Sequence, residues 1–239
     1  MTRVAVVAWA FVSLLALPAR AEVVTLASVR DNTLFEDANG DTSNGAGPAL
    51  FAGLNAQGRT RRALLAFDLA GQLPTDAVID SVVLTLEVTS APDAVARLFT
   101  LHRVLANWGE GSSSSAGGSG APATPGDATW LHAFYPDVSW SLPGGDFVPT
   151  PSADQMVGDV GTWSWRGAGV IADVRRWVEN PASNFGWLIR GSEDVTRSVR
   201  RFDSRETGIP ANVPTLTIHF SLPVPVRTTS WAGIKARYR

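Results

Sequence analysis

The chain has 239 residues and no cysteine, which excludes disulfides, thiolate metal sites and a cysteine nucleophile. Without the first 21 residues, which hold Arg3 and Arg20, 18 basic residues face 22 acidic ones; residues 222–239 hold four of those bases and no acid, so residues 22–221 carry a formal charge of −8. A body this acidic excludes the basic footprint of a nucleic-acid binder and weakens nonspecific attraction to polyanionic sugars.

Residues 1–21 read as a secretory signal, with Arg3 at the positive start, an apolar run from Val4 to Leu17 and the small-x-small site Ala19-Arg20-Ala21. That run falls short of the roughly 20 residues that span a bilayer. No later segment is apolar enough to anchor the chain, so an exported, extracellular protein without a transmembrane segment is expected. Residues 22–221 suffice for one domain and leave no room for a second.

The first strand is predicted over Val23–Arg30. Asp31–Gly47, acidic and rich in Asn and Gly, reads as a long loop. Ala63, Leu65, Phe67 and Leu69 then recur with a period of two, and Val82, Leu84, Leu86 and Val88 alternate with Val83, Thr85, Glu87 and Thr89 as a half-buried antiparallel strand should. Turn clusters stand at Gly71–Pro74 and Ala91-Pro92-Asp93, and a strand follows over Arg97–Leu105. Gly109–Gly126, with Ser112–Ser115 inside it, has the composition of a flexible segment. The spacing of Val170, Ile171, Val174, Trp177 and Val178 predicts a helix ending at Glu179, before Asn180-Pro181. Strands are expected at Gly186–Gly191 and Val199–Arg205, a turn at Gly208-Ile209-Pro210, and a last strand through Leu216, Ile218 and Phe220. Many short strands and one short helix predict an all-β, jelly-roll β-sandwich.

Seven strings carry a resemblance: Asp31–Asp37, Arg61–Leu69, Leu101-His102-Arg103, Trp108-Gly109-Glu110-Gly111, Gly126–Trp130, Asn184-Phe185-Gly186-Trp187 and Arg201–Glu206. In this order they are similar to DNRLRE-domain proteins, and the chain from about Val23 to Phe220 resembles the jelly-roll modules grouped as carbohydrate-binding module family 96. The resemblance implies a secreted accessory module with no catalytic machinery, and polysaccharide such as alginate as the ligand in at least some members.

Seven of the eight tryptophans after residue 21 lie between residues 108 and 187. Sugar rings stack their C–H faces on flat aromatic rings. Trp177 and Trp187, on the helix and in a strand, are expected in the core. Trp130, Trp140, Trp163 and Trp165, in loops or beside glycines, are with Tyr135 the candidate ligand-binding residues.

Asp37, Asn39 and Asp41 present oxygen side chains at alternate positions, a spacing suited to a calcium ion that holds the loop. Thr42 and Pro48 stand where an EF-hand needs Gly and Glu, so an Asx turn is the other reading. The pairs Arg61-Arg62, Arg175-Arg176 and Arg200-Arg201 cannot form single claws within strands, and Phe202–Glu206 is expected to make cross-strand ion pairs. His132 and Tyr135 lie close in sequence, but no nucleophile elbow, phosphate loop or zinc helix is present, and no enzyme is expected.

Residues 222–239 begin with Leu222-Pro223-Val224-Pro225-Val226, an extended spacer, and end in a possible basic amphipathic helix from Ser230. This tail is a candidate contact to a cell-envelope component; a frayed end is the alternative. Two functions remain open: a secreted, non-catalytic polysaccharide-binding module, and a structural or adhesion module of the cell envelope without a glycan site.

Overall fold

The computed structural model describes residues 20–223. The expected export signal, apart from its last two residues, and the tail beyond Pro223 lie outside them. The first strands are β1 (Arg20–Ala27), β2 (Arg30–Phe35), β3 (Thr42–Ser43), β4 (Ala49–Leu54) and β5 (Thr60–Ala66). There follow β6 (Val78–Ser90), β7 (Arg97–Arg103), β8 (Ala121–Pro122), β9 (His132–Phe134) and β10 (Val138–Ser139). Then come β11 (Ala153–Val157), β12 (Gly161–Arg166), helix α1 (Ala168–Glu179), β13 (Trp187–Arg190), β14 (Arg200–Asp203) and β15 (Thr215–Leu222). The all-β expectation with a single helix holds. Among the described residues no helix is long and apolar enough to cross a membrane.

One curled antiparallel sheet runs in the order β1-β15-β6-β14-β4-β5-β13-β7-β11, with β12 added to β6 and β2 added to β5. It turns back on itself within β4, whose residues 49–52 pair with β14 while Gly53 and Leu54 pair with β5. Gly53 makes this change of partner with φ +117°, and a Cβ there would stand 2.9 Å from the Val199 backbone, a place only glycine fits.

The two halves of the sheet face each other across the main core. Alternation decides which side chains enter it: Val82, Leu84, Leu86 and Val88 of β6 are buried while Val83, Thr85, Glu87 and Thr89 are not. Phe99 and Phe202 meet edge to face at 5.9 Å across this core, and Trp177 of α1 meets Trp187 at 4.5 Å. Helix α1 lays Val170, Val174 and Trp177, one apolar stripe, on the same core. Its Asp173 accepts a hydrogen bond from Trp187 Nε1 at 2.9 Å and pairs with Arg103 at 3.0 Å.

The two stretches expected to be loops are corrected by the structure. Asp31–Phe35 belongs to β2 and is buried, and Asn44 and Gly45 beyond it are buried as well. Residues 104–149 pack as a third layer over the outward face of β2, β5 and β13. There Leu34, Leu64 and Leu188 form a second core with Val104, Trp108, Ala128, Ala133 and Trp140. Asp127 holds the serine-rich part in place, its Oδ1 accepting from the Ser112 N–H at 2.9 Å and its Oδ2 from the Thr124 N–H at 2.7 Å. Gly111 at φ +72° lets the chain pass, since a Cβ there would sit 1.3 Å from Asp127 Oδ1. A polar composition alone did not imply mobility because buried partners satisfy these groups.

His102 of β7 is sealed under this layer, with its Nδ1 2.9 Å from Val148 O and its Nε2 2.9 Å from Thr100 Oγ1. The neutral ring satisfies both if Nδ1 donates and Nε2 accepts. Burial pushes its pKa below the ordinary value of 6.5. The unfolded chain therefore binds this proton more readily, so the contribution of His102 to stability is complete above pH 6.5 and is lost as the pH falls below it. Urea unfolding followed between pH 7.5 and 5 checks this: His102→Gln is expected to flatten the slope, which for one proton is at most about 1.4 kcal/mol per pH unit.

Candidate functional site

Two adjoining clefts, which meet beside the short ladder between β3 and β8, form a groove. At one end is a cleft of about 320 Å³ lined by Asp37, Asn39, Asp41, Arg59 and Arg61. The adjoining cleft, about 400 Å³, ends at Tyr135, and the two share Asp41, Thr42 and Ser119. The structure thus brings together four residues singled out in the sequence, Asp37, Asn39, Asp41 and Tyr135.

Local bonds explain how they are held. Asp37 Oδ1 accepts from the Asn39 N–H at 2.9 Å and the Gly40 N–H at 2.6 Å, which is the Asx turn. Its other oxygen, Oδ2, is buried and has no hydrogen-bond partner among the described residues. His132 Nδ1 lies 3.2 Å from Gly40 O and 3.1 Å from Thr129 Oγ1, tying this turn to β9, and the His132 ring meets Tyr135 edge to face at 5.3 Å. Arg61 lies over the Phe35 ring at 4.8 Å and donates to Thr60 O at 2.9 Å. Burial, helped by the neighbouring Arg59, lowers the Arg61 pKa, while Glu36 and Asp37 offset part of this.

The tryptophans do not form a platform. Trp165 is fully buried, its Nε1 donating to Phe99 O at 3.0 Å, and Trp140 is buried with its Nε1 donating to Thr129 O at 2.9 Å. These two ligand candidates are core residues. Trp163 is half-buried, packs against the same core as Trp165 and donates to Asp159 O at 3.1 Å. Both stand on the inward side of β12, opposite Leu86 and Leu84 of β6, because they alternate with Thr162, Ser164 and Arg166. Trp130 is half-buried in the outer layer, and one of its faces is covered by the Arg62 guanidinium at 4.9 Å. Trp177 and Trp187 are in the core, as expected.

A second constellation escaped the sequence reading. One carboxylate oxygen each of Asp31, Glu110 and Glu206 lies within 4.8 Å of the other two. Asp31 is fully buried; its Oδ2 accepts from the Arg205 N–H at 2.8 Å, while Oδ1 has no hydrogen-bond partner. Glu110 Oε1 accepts from the Asp31 N–H at 2.9 Å, and Arg205 Nη2 reaches Glu110 Oε2 at 3.0 Å and Glu206 Oε1 at 2.5 Å. Glu206 Oε2 is again buried without a partner. Burial pushes Asp31 well above the usual carboxylate range, with Glu206 and Glu110 adding to the effect of burial and the Arg205 N–H opposing it; burial raises Glu206 too. The one signal in the sequence was that each acid falls in a different one of the resembling strings, far from the others along the chain. The ion pairs expected across strands at Phe202–Glu206 take another form: Arg205 pairs with its neighbour Glu206 and with Glu110 of the outer layer, and Arg201 pairs with Asp203 along the same strand at 2.9 Å. The chain matches no family model and no curated protein.

Proposed function

We propose that this domain is an exported, non-catalytic module that binds a polysaccharide along the groove between the Asp37 turn and Tyr135. The observation that carries this reading is the pair of adjoining clefts, which together are lined by Asp37, Asn39, Asp41, Arg59, Ser119 and Tyr135. Arg59, Asn39, Asp41 and Ser119 add hydrogen-bonding groups along the same track, and Tyr135 adds a ring for C–H stacking. The resemblance to carbohydrate-binding module family 96 supports the same ligand class. The groove departs from the expectation in using Tyr135 and the Asp37 turn where tryptophans were looked for.

The experiment is affinity electrophoresis of the purified protein through gels cast with a panel of neutral and uronate polysaccharides. Retardation by at least one polymer is expected, with Tyr135→Ala and Asp37→Ala each weakening retention about tenfold while the melting temperature stays within a few degrees. Unchanged retention in both variants removes the groove from consideration.

The alternative, a structural module of the cell envelope, is favoured by a different face. On the outer side of β1, β15, β6 and β12 the polar side chains bond to one another: Thr25 to Thr217 at 3.1 Å, Thr85 to Ser164 at 3.0 Å and Thr162 to Glu87 at 2.6 Å. A surface so satisfied suits packing against neighbours better than gripping a sugar.

A further inference from the structure

We infer that Asp31, Glu110 and Glu206 form a binding site for a divalent cation of the calcium class, separate from the groove and from the Asp37 turn.

Three observations converge on it. The first is shape. Oxygen ligands sit about 2.3–2.6 Å from calcium, so two on opposite sides of the ion are about 4.6–5.2 Å apart. The three carboxylate oxygens, within 4.8 Å of one another, fit inside one such shell. The second is valence. Asp31 Oδ1 and Glu206 Oε2 are both buried and unpartnered, Asp31 being fully removed from solvent. Two orphan carboxylate oxygens beside a third carboxylate are acceptors that a cation would satisfy. The third is charge. Of the three carboxylates, Glu110 and Glu206 are bonded by one guanidinium, that of Arg205, while Asp31 takes only the Arg205 N–H. The Arg30 guanidinium, which donates to Trp108 O at 2.5 Å and Asn107 Oδ1 at 3.0 Å, also acts on Glu110, so three acids face two bases. A bound cation offsets the negative excess. An all-oxygen donor set without sulfur or imidazole selects a hard cation over zinc or copper, and the smaller, strictly octahedral magnesium shell of about 2.0–2.1 Å suits this spread less well.

The consequence is mechanical. Asp31 belongs to β2, Glu110 to the outer layer and Glu206 to the turn after β14. An ion here fastens the outer layer to both halves of the sheet at one point.

The test uses the chain from residue 22 onward, freed of metal with a chelator and titrated with calcium chloride in a calorimeter, with thermal melts run alongside. The wild type is expected to show saturable heat with one site per chain and a higher melting temperature in calcium than in magnesium. Asp31→Asn and Glu206→Gln should each weaken calcium binding by at least about tenfold. Without metal, Asp31→Asn should melt no lower than wild type, because it removes one of three repelling charges; this keeps folding failure apart from loss of the site. The double variant Asp37→Asn/Asp41→Asn should keep the full calcium response. Absence of heat and of any melting shift in the wild type overturns the inference. So does a calcium response that survives both Asp31→Asn and Glu206→Gln, or one that disappears in the Asp37→Asn/Asp41→Asn variant. The glycan reading is judged separately, by retention of Tyr135→Ala and Asp37→Ala.

Discussion

Trp165→Ala is expected to lower the free energy of unfolding by about 4 kcal/mol and to leave polysaccharide retention unchanged in whatever protein remains folded. The ring is completely buried, 6.2 Å from Phe202, and its Nε1 serves Phe99 O, so truncation leaves a cavity and an orphaned carbonyl together. Phe99 and Phe202, themselves in edge contact at 5.9 Å, would lose a common neighbour, and collapse around the gap is restricted because they come from opposite halves of the sheet. Urea unfolding of wild type and variant measures the effect. A loss below about 1 kcal/mol accompanied by weaker sugar retention would place Trp165 at the surface and contradict the core described above.

Asn32→Ala should cost about 3 kcal/mol through a different mechanism, the breaking of a buried polar network. Asn32 Nδ2, with two hydrogens to donate, lies 3.0 Å from Glu110 O, 3.2 Å from Ala128 O and 2.9 Å from Ser43 Oγ, and its Oδ1 accepts from Ser43 Oγ at 3.0 Å and from the Asn44 N–H at 3.1 Å. One side chain thus ties β2 to the segment before β4 and to two points of the outer layer. Hydrogen exchange should locate the damage: amides in residues 109–128 are expected to lose protection more than those of β6 and β15. Uniform loss across the sandwich would mean that the outer layer is not anchored through Asn32.

The same contrast separates what the sequence disclosed from what it hid. β6 and β15 were legible because each has one face in the core and one outside it, so apolar and polar residues alternate; β5 is buried on both faces, with Ala63 and Leu65 in the main core and Leu64 and Ala66 in the second. α1 was legible through the spacing of Val170, Val174 and Trp177. β4 carries no such alternation: Ala49-Leu50-Phe51-Ala52-Gly53-Leu54 is buried throughout, and a short apolar run fixes neither period. β2 misled in the opposite direction. Its Asp31, Asn32 and Thr33 are polar and yet buried, since their partners, among them Glu110, Ser43, Ala128 and Arg205, come from elsewhere in the chain.

The candidate sites follow the same logic. The Asx turn at Asp37 is local and could be read from residues 37–41, whereas its closeness to Tyr135 depends on His132 reaching Gly40. The alternation in Thr162-Trp163-Ser164-Trp165-Arg166 was present in the sequence and places both indoles on one face; the flanking Gly161 drew the segment toward a loop. The acidic trio could not be read locally, because its members meet only through the packing of the outer layer on the sheet.

The most direct measurement is a glycan array probed with the chain from residue 22 onward, with calcium and with chelator. Binding to at least one polysaccharide, weakened by Tyr135→Ala and by Asp37→Ala, is the predicted result. Blank arrays in both conditions, from protein shown by its melting curve to be folded, would contradict a glycan role and leave the polar outer sheet face as the functional surface.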